Sequence, residues 1–300
     1  MEKQALRSLS RKAGCALLAV CALQLAMSAA AVLLRGRLGL GGGPWFHLLA
    51  VLSGATVLAG ALLGARLLGG RDRGGPAPPL TGSFLLVPAG AALCMAGNLV
   101  GALVERIAGQ AGIEFQGGPQ PAAPQGLPGL LLLLLTAAAL PAVAEEWLLR
   151  GVILPALRRF GDGFAVVCAA ALFALLHQNM EQAPMAFVSG LALGWAYVRS
   201  GRLAVPVAIH LWNNAAAVAL TLLPGRAVAA YALGLGALGA LSLFALCLRR
   251  AGRPAPEKIT CELPAGRRAL HFFFGSGAMV LALAYFVALI AMNTRATGGS

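Results

Sequence analysis

The sequence predicts an all-α polytopic membrane protein, a bundle of about eight to nine transmembrane helices with a cytoplasmic N-terminus. Hydrophobic residues make up 59% of the 300 residues and charged residues only 11%, and the mean hydropathy is +0.81. A soluble domain usually has about a quarter of its residues charged. Most of the outer surface is therefore expected to face lipid.

Apolar runs of about 20 residues, the length that crosses a bilayer, define the predicted helices. They are expected near residues 13–34, 44–66, 82–104, 128–157, 164–183, 184–199, 203–222, 227–248 and 269–292. Only a short polar patch, 178–182, separates the fifth helix from the sixth. Three linkers are too short to fold as domains, and they are expected at 67–81, 107–127 and 249–268.

Basic residues give the chain a net charge of +13. They stand singly or in small groups at the ends of apolar runs, where they anchor helices at the membrane interface. With nine helices and an inside N-terminus, most of the 23 Lys and Arg residues fall on the cytoplasmic side, in agreement with the positive-inside rule. No basic face with interleaved aromatic residues occurs, which argues against a nucleic-acid partner.

Two adjacent carboxylates, Glu145 and Glu146, lie inside the predicted helix 128–157. A carboxylate at the bilayer centre costs at least ~2.5 kcal/mol on insertion scales, so it normally faces the protein interior. Arg150 follows Glu146 by four residues, a spacing that places both side chains on one helical face. We therefore expect a structural ion pair between Glu146 and Arg150. Glu145 points about 100° away and is left free for chemistry.

Three more polar side chains, His177, His210 and Asn214, lie in later predicted helices. Counted from the cytoplasmic boundary at 1.5 Å per residue, Glu145, His177 and Asn214 lie about 18 to 22 Å deep and His210 about 12 Å deep. They meet if their helices pack together. Each also has a purely structural interpretation, because a membrane histidine or asparagine often serves only as an interhelical hydrogen-bonding residue.

Together these groups supply the parts for hydrolysing a peptide bond inside the membrane. Glu145 near His177 provides a general base for a water molecule. His210 and Asn214, one helical turn apart, provide hydrogen bonds to a developing oxyanion. No serine or cysteine nucleophile is required.

Two other chemistries use the same residue types. Glu145, His177 and His210 are ligand types for Zn²⁺, but the chain has no H-E-x-x-H sequence, so metal-free catalysis without a cofactor is favoured and zinc is the alternative. Intramembrane Glu and His residues also serve proton relays in transporters. A transporter should have a repeated half or paired broken helices, and the sequence has neither.

Three motifs together resemble the CPBP family of intramembrane proteases: E-E-x-x-x-R at 145–150, F-x-x-x-H at 173–177 and H-x-x-x-N at 210–214. That family comprises the type II CAAX prenyl endopeptidases and the bacteriocin-processing or immunity proteins. The resemblance implies a catalytic core with a helical membrane fold. This core spans residues 128–222, between N-terminal helices and loops in 1–127 and C-terminal helices in 223–300.

The resemblance also implies a role for each site residue. Glu145 and His177 activate water, His210 and Asn214 stabilise the oxyanion, and the cavity opens toward the cytoplasm. The implied partners are membrane lipid and a peptide or lipidated protein substrate. The composition is typical of a bacterial plasma membrane protein, whose substrate and oligomeric state the sequence leaves open. A non-catalytic scaffold or immunity protein that keeps the motif residues is a further alternative.

Overall fold

The computed structural model of the chain describes residues 2–38, 42–69, 83–115, 121–250 and 267–296. Most of the predicted linkers 67–81 and 249–268, and part of the linker 107–127, lie outside these residues. Within them the protein is helical, apart from two short strands, and the predicted all-α class is confirmed.

Helices occur at every position where an apolar run predicted one. They are α1 (Glu2–Leu38), α2 (Gly42–Leu68), α3 (Ser83–Gln110), α4 (Gly126–Leu134), α5 (Leu140–Glu146), α6 (Leu154–Leu157), α7 (Asp162–Leu176), α8 (Ala183–Ser200), α9 (Ala204–Thr221), α10 (Gly225–Arg250), α11 (Arg267–Phe274) and α12 (Gly277–Met292). The strands β1 (Ile113–Phe115) and β2 (Thr294–Ala296) form one antiparallel pair that connects the end of α3 to the end of α12.

Six helices in the described residues are long and apolar enough to cross a membrane. They are Lys3–Ala31, Gly43–Leu68, Ser83–Gln110, Gly126–Phe160, Ala204–Thr221 and Gly225–Arg249. Two further apolar helices, α7 and α12, are shorter. The count of eight to nine spans and the cytoplasmic N-terminus stay predictions.

Several predicted helices have different ends in the structure. The helix expected at 13–34 spans Glu2–Leu38, and the helix expected at 82–104 continues to Gln110. The helix expected at 164–183 ends at Leu176, because the chain turns at Gln178 with a left-handed φ of 59°. The helix expected at 269–292 is interrupted between α11 and α12. There Ser276 has an extended backbone, and its side chain accepts a hydrogen bond from the backbone N–H of Met279 at 3.4 Å.

One continuous helical run, from Gly126 to Phe160, carries both glutamates. Two π-helical segments, Leu135–Ala139 and Trp147–Ile153, join α4, α5 and α6 within it. Each segment precedes a proline, Pro141 or Pro155, whose missing N–H leaves a carbonyl one turn earlier without its usual helical partner. A π-bulge accommodates such a break and is frequent at functional sites.

The helical run 126–160 packs between other helices, and these helices surround the part of the run that carries Glu145 and Glu146. α5 and the π segment that follows it pack against α2, and α5 also packs against α9. α7 and α8 lie closely together at Gly190, where an added Cβ would stand only 2.9 Å from Ala170 Cα. Only glycine permits this approach, and it brings the backbone of α8 to the side chains of the central run.

Candidate active site

The centre of the site is a fully buried ion pair on the central run. Arg150 Nη1 donates to Glu146 Oε1 at 2.7 Å, and both side chains have no exposed surface. Arg150 Nη2 also donates to the backbone carbonyl of Gly190 on α8, at 2.9 Å. The guanidinium carbon lies 4.8 Å from the centre of the Phe173 ring on α7. Arg150 therefore holds three helices together around the charge of Glu146.

His210 on α9 contacts both glutamates. Its Nδ1 lies 3.0 Å from Glu146 Oε1, and its Nε2 lies 3.9 Å from Glu145 Oε2. The ring is only 5% exposed. Because an ionised carboxylate only accepts hydrogen bonds, Nδ1 carries the proton of the short contact. Glu146 thus orients the imidazole, and the opposite nitrogen faces Glu145.

Glu145 differs from Glu146 in its environment. Its side chain is 22% exposed, whereas that of Glu146 is fully buried. One oxygen, Oε2, is itself buried and has no hydrogen-bond partner among the described residues. Glu145 is therefore a partly exposed carboxylate with one buried oxygen that makes no hydrogen bond among the described residues.

His177 caps the C-terminal end of α7. Its Nδ1 lies 2.9 Å from the carbonyl oxygen of Phe173, and its ring stands edge-on to the Phe173 ring at 4.8 Å. The same phenyl ring meets His210 edge-on at 5.5 Å. Phe173 therefore lies between the two histidines. In the described part of the chain, His177 makes no hydrogen bond or ion pair with either glutamate.

Asn214 lies one turn beyond His210 on α9 and is half-buried. Its side-chain oxygen is 3.5 Å from Asn213 Nδ2, and the oxygen of Asn213 accepts from Asn98 Nδ2 on α3 at 3.2 Å. The amide nitrogen of Asn214 makes no hydrogen bond within the described residues. Asn214 thus adds a donor on the helix face that carries His210.

The predicted site residues are therefore connected in three ways. Direct contacts join His210 to Glu145 and Glu146 and join Arg150 to Glu146, while His177 reaches this group through Phe173 and Asn214 through its place on α9. Sequence reasoning missed the role of Phe173, although its i, i+4 spacing to His177 places both on one face. It also missed the Gly190 carbonyl, for which no sequence signal exists.

The zinc alternative requires Glu145, His177 and His210 to form one ligand set. No group of three or more His, Cys, Asp and Glu side chains in the described residues is arranged to hold a metal ion. Glu146 Oε1 is engaged by His210 and by the buried cation Arg150, which opposes a second cation beside it. As placed here, these residues do not fit a zinc ion.

Residues 127–216 match a protein family described as Rce1-like, type II CAAX prenyl endopeptidase Rce1-like. The matched segment contains all three motifs, and the resemblance that they predicted is confirmed. The match implies protease activity of the CAAX type, and together with the six apolar helices it indicates an integral membrane protein. Comparisons with curated proteins and with solved structures gave no match.

Proposed function

We propose that this chain is an intramembrane endopeptidase that hydrolyses peptide bonds of membrane-associated or lipidated substrates with a water molecule activated by Glu145. One observation carries the proposal. Glu145 Oε2 and His210 Nε2 face each other at 3.9 Å, too far for a direct hydrogen bond and close enough for one small polar group to contact both. A reacting oxygen placed there has a base on one side and an imidazole on the other.

The protonation state that this chemistry requires follows from the contacts of His210. Its Nδ1–H is committed to Glu146, so Nε2 donates a hydrogen bond only when the ring is an imidazolium. Two carboxylates and one guanidinium leave one negative charge in the cluster, which an imidazolium neutralises. In the proposed mechanism, Glu145 takes a proton from water, and the charged His210 donates Nε2–H to the oxyanion that develops.

His177 and Asn214 complete the proposed mechanism. The Nδ1–H of His177 donates to the Phe173 carbonyl, so the neutral ring presents an unprotonated Nε2 that can accept a hydrogen bond from the attacking water. The free amide of Asn214 adds a second donor to the oxyanion, one turn beyond His210. Glu146 and Arg150 act through His210 and position it.

The test is hydrolysis of a quenched-fluorescence peptide library, with and without a lipid group, by the purified chain in detergent. Glu145→Gln should abolish cleavage. Glu105→Gln on the exposed face of α3 is the matched control and should leave the rate unchanged. The proposal further requires that activity survive a chelator. Loss of activity to the chelator and its recovery with zinc would instead support the metal-dependent alternative.

A wild-type protein that cleaves no peptide under any condition would contradict the proposal. That result would instead favour a non-catalytic scaffold or a transporter.

The side of the membrane on which the site opens is checked separately. We expect both the site opening and the N-terminus on the cytoplasmic side. A single cysteine placed at the N-terminus of a variant without the six native cysteines, and labelled from one side of sealed vesicles, tests the orientation of the chain.

A further inference from the structure

The loop 177–182, which joins α7 to α8, contains a backbone conformation that its sequence does not favour. Gln178 has a φ of 59°, and it is the only non-glycine residue with a positive φ in the described part of the chain. A side chain with a Cβ is strained in this region, and such residues persist only when their surroundings hold them. Gln178 directly follows His177, so the strained turn determines how the chain leaves the histidine.

Local backbone hydrogen bonds hold this turn at both ends, from Gln178 N–H to the Leu175 carbonyl and from Ala183 N–H to the Asn179 carbonyl, each at 3.1 Å. Two side-chain hydrogen bonds also connect it to distant parts of the chain. Gln178 Nε2 donates to Gln24 Oε1 on α1 at 2.5 Å. Asn293 Nδ2, at the C-terminal end of α12, donates to the backbone carbonyl of Gln178 at 3.2 Å. A third side-chain bond lies within the loop, where Asn179 Oδ1 accepts from the backbone N–H of Gln182 at 2.7 Å.

Gln24 is an unusual residue for its position. It lies within the apolar span Lys3–Ala31 and is only 8% exposed. A buried amide in a membrane helix is unfavourable unless it is hydrogen-bonded. Its one hydrogen bond among the described residues is with Gln178. The bond to the loop therefore accounts for a buried amide at this position of α1.

The helices that carry Gln24 and Asn293 are held in a defined register. Ser10 on α1 donates its hydroxyl hydrogen to the carbonyl of Phe273, and its hydroxyl oxygen lies 2.7 Å from the hydroxyl of Ser276 at the start of α12, which can donate to it. Four residues further along α1, Gly14 lies so close to α12 that an added Cβ would stand 2.5 Å from the backbone nitrogen of Met279. The two helices therefore run parallel, and their far ends reach the loop at the same level.

We propose that Gln24, Gln178 and Asn293 form a clamp that positions His177 in the site. The clamp is a positioning device, since none of its members contacts Glu145 or His210. This inference rests on the proposed function, and it gives a role to α1 and α12, both of which lie outside the segment 127–216 that matches the family. Without the clamp, the turn at Gln178 relaxes toward a favoured conformation and His177 shifts with it.

The clamp is tested with Gln24→Leu, which removes the acceptor on α1, and with Gln178→Gly, which loses the side-chain bond and leaves the backbone of the turn free to change conformation, because glycine adopts positive and negative φ about equally. The matched control is Gln182→Ala, because Gln182 lies in the same loop and its side chain makes no hydrogen bond within the described residues.

One readout, the NMR signals of the histidine side chains, is independent of catalysis. The chain has four histidines, so imidazole resonances of ¹⁵N-histidine-labelled protein can be assigned with His177→Gln and His210→Gln.

We expect the His177 resonances to shift or broaden in Gln24→Leu and in Gln178→Gly, while those of His210 stay unchanged. The kcat for peptide hydrolysis should fall roughly 10- to 100-fold with KM within about twofold, because misplacement by ~1 Å affects the reacting geometry more than binding. The double variant should lose no more than the worse single variant, since both changes remove the same bond. Gln182→Ala should match the wild type.

Unchanged His177 resonances in both clamp variants would overturn the inference, whatever happens to the rate. An equal effect in Gln182→Ala would also overturn it, because the loop as a whole would then be responsible. A wild-type protein without peptidase activity would contradict the proposed function alone. In that case the resonances of His177 would still decide whether the clamp positions it.

Discussion

Replacing Arg150 with methionine removes the guanidinium that pairs with Glu146 and leaves the carboxylate fully buried. The stem of the side chain is largely retained, so the change tests the charge more than the packing. Arg150 donates to Glu146 at 2.7 Å and to the Gly190 carbonyl at 2.9 Å. Both partners lose a hydrogen bond, and neither can turn to water because this part of the site is enclosed.

The expected loss of stability follows from these two contacts. Breaking a buried ion pair by removing one partner costs about 3–5 kcal/mol. Leaving the Gly190 carbonyl without its donor adds about 1 kcal/mol. Arg150→Met should therefore lower the free energy of unfolding by about 4–6 kcal/mol. Adding Glu146→Gln should recover more than half of this loss, because a buried amide carries no charge and still accepts a hydrogen bond from His210.

The free energy of unfolding can be measured by titration with a denaturing detergent in mixed micelles, followed through the fluorescence of the four tryptophans. Arg158→Met is the control, because its ion pair with Asp162 at 2.8 Å is 19% and 40% exposed and should contribute less than about 1 kcal/mol. A loss below 1 kcal/mol for Arg150→Met, or no recovery in the double variant, would refute the reasoning.

Two further changes test the oxyanion donor and the helix packing. Asn214→Ala should lower kcat for peptide hydrolysis by ~10²–10³, while Asn213→Ala, which loses its contacts with Asn98 on α3 and with the Asn214 side-chain oxygen, should stay within about threefold; equal losses would argue against a specific donor. Gly190→Ala should destabilise the protein by about 1–3 kcal/mol in the same titration, because its Cβ would stand 2.9 Å from Ala170 Cα. Gly109→Ala has open space around the new Cβ and should not destabilise it; similar effects of both glycine changes would show that the close approach is unimportant.

Features that depend on residues close together along the chain were predictable from the sequence. The apolar runs located the helices, since a spanning segment satisfies its own backbone hydrogen bonds and is recognised by length and hydropathy alone. The spacing of Glu146 and Arg150 predicted their pairing because both lie on one helix. The prediction went wrong at Leu176, where α7 ends early. A left-handed turn at a glutamine has no local signal, because its hydrogen-bonding partners lie elsewhere in the chain.

By itself, the sequence determined the class of protein, the order of the helices and the set of polar side chains that lie within apolar membrane helices. Only the tertiary structure decided which of them meet. His210 reaches Glu146 across 64 residues of chain, and Gln178 reaches Gln24 across 154. Helical periodicity defines the direction of a side chain relative to its own helix, but the rotation and depth of one helix against another depend on close contacts such as that at Gly190. Those contacts form only when the helices pack, and for that reason residue spacing did not predict that His210 would be the histidine in contact with both glutamates.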